Sequence, residues 1–151
     1  MKYINGDFIV NLDSTLRGIN LFRKIINKQS PNKEPLEYLI NIWDIKGSEN
    51  YIDFVKLLSE PIDAIIIQTN ANEMAIQQSV KKWLKLLEDS IDIEIMKFLI
   101  ISKRNNLPID KVILRNIVLD YDLKNYYTID SKNTEQVNGA FENIFNEIIP
   151  A

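Results

Sequence analysis

Residues 36–42 alternate in the manner of a β-strand, and Asp44 and Gly47 follow them. A strand here would deliver the Asp44 carboxylate to its carboxyl end. Ligands of open α/β sheets bind at that edge. We therefore expect a binding site there that uses this carboxylate.

The composition excludes several kinds of chemistry. The chain has no cysteine and no histidine, which removes thiolate ligands, a cysteine nucleophile and the usual general base. A formal net charge of −3 and a pI of about 5.1 provide no basic surface for nucleic acid. An enzyme of this composition would depend on carboxylates, lysine, tyrosine or a cofactor.

Neither a signal sequence nor a membrane anchor is expected in this chain. Its first residues lack a charged-then-apolar layout, and no apolar run approaches the roughly 18 residues of a membrane span. The second residue is lysine and cysteine is absent, so the common lipid attachments have no acceptor. These features predict a cytoplasmic protein, and 151 residues predict one domain over residues 1–151.

Strand and helix patterns alternate along the chain. Strands are predicted at residues 8–12, 36–42, 62–69, 96–101 and 126–129. Helices are predicted from Leu16 or Gly18 to Asn27, and at 51–58, 73–88, 110–119 and about 134–148. Asn5-Gly6 fits a hairpin turn or a simple turn before the first strand equally well. The alternation favours a parallel sheet with helices on both faces.

Residues 43–47, Trp-Asp-Ile-Lys-Gly, resemble the Trp-Asp-x-x-Gly element of Ras-superfamily small GTPases, especially the Rab-like ones. Residues 63–84 and 127–148 resemble later strands and helices of the same family, so the resemblance covers nearly the whole chain. It implies a three-layer αβα fold with a mostly parallel sheet of five to six strands. Gly18 and Asp44 are only 26 positions apart and enclose a proline-containing loop, so we expect the second strand to be shortened or missing.

The phosphate-binding loop of that family has the pattern Gly-x-x-x-x-Gly-Lys-Ser/Thr, and residues 12–19 occupy its place here. Three positions that are usually glycine carry side chains: Leu12, Thr15 and Arg17. Gly18 stands at the phosphate-binding lysine, and Ile19 stands at the hydroxyl that binds Mg²⁺. Side chains at the glycine positions resist the backbone angles that the loop needs. We therefore expect ordinary Mg²⁺·GTP binding to be lost.

The remaining family motifs are altered as well. Ser48 stands where the family has a glutamine that orients water, and Asn105 replaces the aspartate that accepts hydrogen bonds from guanine. Lys103 is kept, and residues 130–132 resemble the Ser-Ala-Lys loop that closes over the base. Asn133 with Gln136 explains that region equally well as the capping box of the last helix.

Two functions remain open. The first is a pseudo-GTPase without catalysis or cofactor, which serves as a protein-interaction module or as a subunit of a larger assembly. The second is a divergent GTP/GDP·Mg switch, in which Arg17 or Lys46 replaces the missing phosphate lysine. In both, the resemblance implies a candidate nucleotide site made of Gly18, Asp44, Gly47, Lys103, Asn105, Ser131 and Lys132. A third, more distant alternative is a receiver-like domain that uses Asp13, Asp44 and Lys103.

Overall fold

The computed structural model describes residues 9–10, 19–30, 33–45, 62–70, 73–88, 94–103 and 108–149. Its strands are β1 (Ile9–Val10), β2 (Ile19–Ser30), β3 (Lys33–Ile45), β4 (Ala64–Asn70), β5 (Met96–Ser102) and β6 (Asn125–Ile129). Its helices are α1 (Glu73–Leu87), α2 (Lys111–Asp120) and α3 (Thr134–Ile148). Within these ranges the strands form two three-stranded sheets, one in the order β1-β2-β3 and one in the order β4-β5-β6.

The sheet β4-β5-β6 is parallel and has helices on both faces. Successive side chains of a strand point to opposite faces, and β5 shows this directly. Phe98 and Ile100 belong to the core under α3, whereas Leu99 and Ile101 belong to the core under α1 and α2. Residues 98–101 are apolar without interruption because both faces of the strand are buried there. The predicted α/β class and three-layer arrangement are therefore confirmed.

Each helix contributes one apolar stripe to its side of the sheet. On one side, α3 packs through Val137, Ala140, Phe141, Ile144 and Phe145. On the other side, α1 contributes Ile76 and Val80, and α2 contributes Leu114 and Ile117. Phe98, Ile76, Val80 and Ile144 have no exposed surface at all. The helical spacing of these residues is the pattern from which the helices were predicted.

The helix predicted from Leu16 or Gly18 to Asn27 is wrong, because residues 19–30 form the strand β2. This strand pairs antiparallel with β3, from Ile19 opposite Ile45 to Ser30 opposite Lys33. The apolar residues at 19, 22 and 26 fit a helical period, but they also fit a strand in which the two faces are covered unequally. Isoleucine is β-branched and favours strands, and the long apolar strand β3 provides the partner that decides between the two.

Two further expectations about the sheet need correction. The second strand is neither missing nor short, since β2 has 12 residues. The described strands are also not mostly parallel, because β1, β2 and β3 pair antiparallel. Pro35 lies within β3 near the register shift between Lys28 and Ser30. A proline lacks an N–H group, and an irregular part of the ladder tolerates that loss.

The β2–β3 hairpin packs with one face against the core that α3 covers. Ile26, Tyr38, Ile40 and Ile42 are the half-buried hairpin residues that contact this core. Beside them, Lys28 donates a hydrogen bond from Nζ to the backbone oxygen of Ile149, at 2.7 Å. This bond joins two segments that are 121 residues apart in the sequence.

The other predicted elements are confirmed with small shifts at their ends, and Ile9–Val10 falls inside the predicted first strand. Asp110 and Asn133 are the N-caps of α2 and α3. The predicted helix at residues 51–58 and the Asn5-Gly6 turn lie outside the described residues. In the described part of the chain, none of the helices is long and apolar enough to cross a bilayer.

Candidate functional site

Asp44 lies one residue before the end of β3, as the sequence predicted, and its cross-strand neighbour is Asn20. Its half-buried carboxylate faces a cavity of about 340 Å³ at the carboxyl ends of β4, β5 and β6. Small-molecule sites usually occupy about 300–1,000 Å³, so this cavity lies at the small end of that range. The other described residues that line it are Gln68, Ile100, Ile129, Ser131, Val137 and Phe141.

Ser131 is the second predicted site residue at this cavity. It lies in the turn between β6 and α3, and hydrogen bonds of the neighbouring residues hold that turn. The N–H of Lys132 donates to Oδ1 of Asp130 at 2.8 Å, and the N–H of Gln136 donates to Oδ1 of Asn133 at 3.1 Å. The Gln136 side chain accepts from the N–H of Asp130 rather than closing the predicted box with Asn133. Asn133 is therefore confirmed as the N-cap of α3, whereas Gln136 accepts its hydrogen bond from Asp130 instead of Asn133.

Lys103 and Lys132 follow strands that end at this edge of the sheet. Neither is among the described residues that line the cavity. Lys103 directly follows β5, and its N–H donates to the backbone oxygen of Ile129 at 2.8 Å. Lys132 is exposed in the turn before α3. The structure thus brings Asp44 and Ser131 together at the cavity and leaves these two lysines off its wall. Gly18, Gly47 and Asn105 lie outside the described residues.

Gln68 is a cavity residue that the sequence patterns did not single out. It lies near the end of β4, and its Nε2 donates to Oγ of Ser102 at 3.2 Å. Ser102 ends β5 and is 5% exposed, so the amide satisfies a buried hydroxyl. A polar pair, Gln68 and Thr69, at the end of an otherwise apolar strand was the available signal. Polar residues in that position often face the ligand edge of a parallel sheet.

The clearest electrostatic perturbation lies at a different place, between β6 and α3. The Tyr127 hydroxyl donates to Oε1 of Glu147 at 2.7 Å, and Nδ2 of Asn125 donates to the same oxygen at 3.2 Å. Burial raises the pKa of Tyr127 above its ordinary value of 10.0, and the hydrogen bond to Glu147 raises it further. The phenol therefore stays neutral at physiological pH. It serves to fasten the last helix to the sheet.

The described ranges contain no group of three or more acidic residues placed to hold a metal ion. Asp44 is the one carboxylate among the described residues around the cavity. It faces amide, hydroxyl and apolar groups there. Among the described residues, the rim of the cavity therefore carries a single negative charge.

Comparisons with known proteins place this fold in a family. The sequence matches the Ras family model over residues 1–150. A comparison with curated proteins gave no significant match. The family match covers almost the entire chain, and it favours the small-GTPase interpretation over the receiver-like alternative. The chain belongs to the Ras family, and its parallel sheet with helices on both faces is that of a small GTPase.

Proposed function

We propose that this protein is a pseudo-GTPase, a Ras-family domain that does not bind Mg²⁺·GTP in the ordinary way. It serves instead in the cytoplasm as a protein-interaction module, as one subunit of a larger assembly. The observation that carries this proposal is that the sequence contains no Gly-x-x-x-x-Gly-Lys-Ser/Thr string. In the family, the phosphate loop leads into a helix, whose first N–H groups are free to bind phosphate. Residues 19–27, to which the sequence pattern assigned that helix, belong to the second strand β2 and do not provide it.

The positions that would hold the phosphates support the same conclusion. Ile19 stands where the family has the hydroxyl that binds Mg²⁺, and its side chain is apolar and 3% exposed. It is the first residue of β2 and pairs with Ile45 of β3. An antiparallel ladder uses backbone N–H groups for pairing, whereas a phosphate nest needs them to converge on one point. The described residues around this position therefore do not fit a triphosphate with its metal.

The charge around the cavity also opposes a nucleotide. A triphosphate carries several negative charges, which small GTPases neutralise with a lysine and Mg²⁺. Among the described residues that line the cavity there is no lysine or arginine, while Asp44 contributes a carboxylate. Like charges in a partly buried site repel strongly because screening by water is reduced there. This arrangement of charges favours a surface that does not bind a nucleotide.

Isothermal titration of the purified chain with GTP and GDP, each with Mg²⁺, tests the proposal. We expect no saturable heat, because the sequence has no Gly-Lys-Ser/Thr string and the described residues around the cavity provide no lysine or arginine for the phosphates. A catalytically active Ras-family protein under the same conditions serves as the positive control. Micromolar or tighter binding of either nucleotide would refute the proposal.

The divergent switch is the second candidate, and one observation favours it. Asp44 and Ser131, which the family resemblance assigns to the nucleotide site, do line one cavity. A switch would retain nucleotide during purification and would hydrolyse it slowly. Denaturing the purified protein and separating the supernatant by ion exchange would reveal guanine nucleotide. An empty trace counts against the switch.

A further inference from the structure

The cavity beside Asp44 has an apolar floor and a polar rim. Four of its residues are no more than 5% exposed and form the floor: Ile100, Ile129, Val137 and Phe141. Gln68 and Ser131 are exposed, and Asp44 is half-buried, so these three form the rim. A ligand that fills such a cavity needs an apolar body and a polar group near it. Sites of this kind obtain affinity from the floor and orientation from the rim.

The described residues of the rim offer hydrogen-bond acceptors and donors, and Asp44 is the one charged group among them. The Asp44 carboxylate has neither a hydrogen bond nor an ion pair among the described residues. The Gln68 amide donates one of its two N–H groups to Ser102, which leaves its second N–H as a donor and its carbonyl oxygen as an acceptor. The Ser131 hydroxyl can serve in either direction. A group that carries a positive charge and several N–H donors is the chemical complement of this rim.

We propose that this cavity is the docking site for a segment of a partner protein in which an apolar side chain adjoins an arginine. The apolar side chain lies on the apolar floor of the cavity, and the guanidinium binds Asp44. The arginine fits because its planar fork can donate two parallel hydrogen bonds to one carboxylate. The inference rests on the proposed function, since it assigns to a protein partner the edge at which relatives bind a nucleotide. The proposed partner segment brings a positive charge to Asp44, whereas a nucleotide would bring negative charges.

The test uses acetyl-Phe-Arg-amide and the matched peptide in which citrulline replaces the arginine. Citrulline has almost the same shape as arginine and no charge. Each peptide is titrated into the full chain, labelled for NMR at isoleucine and valine methyl groups. We expect the arginine peptide to shift the methyl signals of Ile100, Ile129 and Val137, and to bind about fivefold more tightly than the citrulline peptide, as a partly exposed ion pair allows.

Asp44→Asn removes the charge and keeps the shape of the side chain. It is expected to make the two peptides bind equally, whereas Asp120→Asn, at an exposed carboxylate on α2, should leave the fivefold preference intact. The proposal is wrong if the arginine peptide leaves those methyl signals unmoved, or if the wild-type chain binds both peptides equally. The wild-type comparison gives this answer even where Asp44→Asn fails to fold.

The same sample separates this inference from the proposed function. Addition of GTP with Mg²⁺ should leave the methyl signals unmoved if the pseudo-GTPase proposal is right. Failure of the arginine peptide alone would overturn the docking site and would leave that proposal standing. Shifts caused by the nucleotide at these methyl groups would overturn both.

Discussion

Phe98→Ala is expected to lower the free energy of unfolding by about 3–5 kcal/mol. Phe98 lies in β5, the central strand of the parallel sheet, and has no exposed surface. Its ring packs in the core under α3, which also contains Phe141 and Ile144. Removal of the ring loses its burial free energy and leaves a cavity that a close-packed sheet cannot fill completely. Chemical denaturation followed by circular dichroism measures the effect.

A smaller truncation at the same position provides the control. Phe98→Leu keeps most of the apolar volume, so its cost should lie clearly below that of Phe98→Ala. Domains of this size are stable by about 5–15 kcal/mol, so the alanine variant should lose a large share of its stability. A loss below about 1 kcal/mol would contradict a buried position for Phe98, since that is the typical cost of an arbitrary substitution.

Leu114→Ala is expected to cost about 2–5 kcal/mol, through the other face of the same sheet. Leu114 is 1% exposed and belongs to the core formed by α1, α2 and the sheet. The chain contains a matched control in Leu119, which lies on the same helix and is 77% exposed. Leu119→Ala removes the same atoms from the same helix without creating a cavity.

The comparison of the two leucines tests whether α2 presents the face that the structure assigns to it. Leu119→Ala should change the free energy of unfolding by no more than about 0.5 kcal/mol, as at most exposed positions. Denaturant titrations of the two variants, made side by side, give the difference directly. Equal costs for the two variants would show that the helix is rotated or is not packed on the sheet.

The second half of the chain follows closely from its sequence. The apolar run at residues 96–101 could only be a strand covered on both faces, because it is too short and too rich in β-branched and aromatic residues for a buried helix. Asn133 was predicted as a cap and is the N-cap of α3. These features are local, so propensity and periodicity determine them.

The first half shows where local patterns fail. Residues 19–27 carry apolar side chains that fit a helix and a strand at once, and the pairing of β2 with β3 decides between them. That pairing is a tertiary interaction, which intrinsic propensity does not contain. The resemblance to small GTPases also favoured a helix, because the family has one after its phosphate loop. The strand β2 is the second strand that the resemblance predicts before residues 43–47, and the helix was assigned to residues that belong to this strand.

The candidate site was predictable only in part for a similar reason. Asp44 could be placed at a strand end because the alternation before it is clear. The family resemblance implied that Asp44 and Ser131 belong to the same site. The contribution of Gln68 depends on the alignment of β4 with β5, which brings it within 3.2 Å of Ser102. Register between strands is set by the whole sheet, so single-strand patterns do not reveal it.

The conformation of residues 19–30 tests most directly whether they form the second strand or a phosphate-binding helix, and NMR of the labelled chain measures it. The account predicts strand-type carbon chemical shifts from Ile19 to Ser30, with cross-strand proton contacts such as those between Leu21 and Trp43 or between Ile25 and Leu39. Helical shifts from Gly18 to Asn27, with helical contacts between successive amides, would restore the start of a phosphate-binding helix. That result would contradict the account and favour the nucleotide switch.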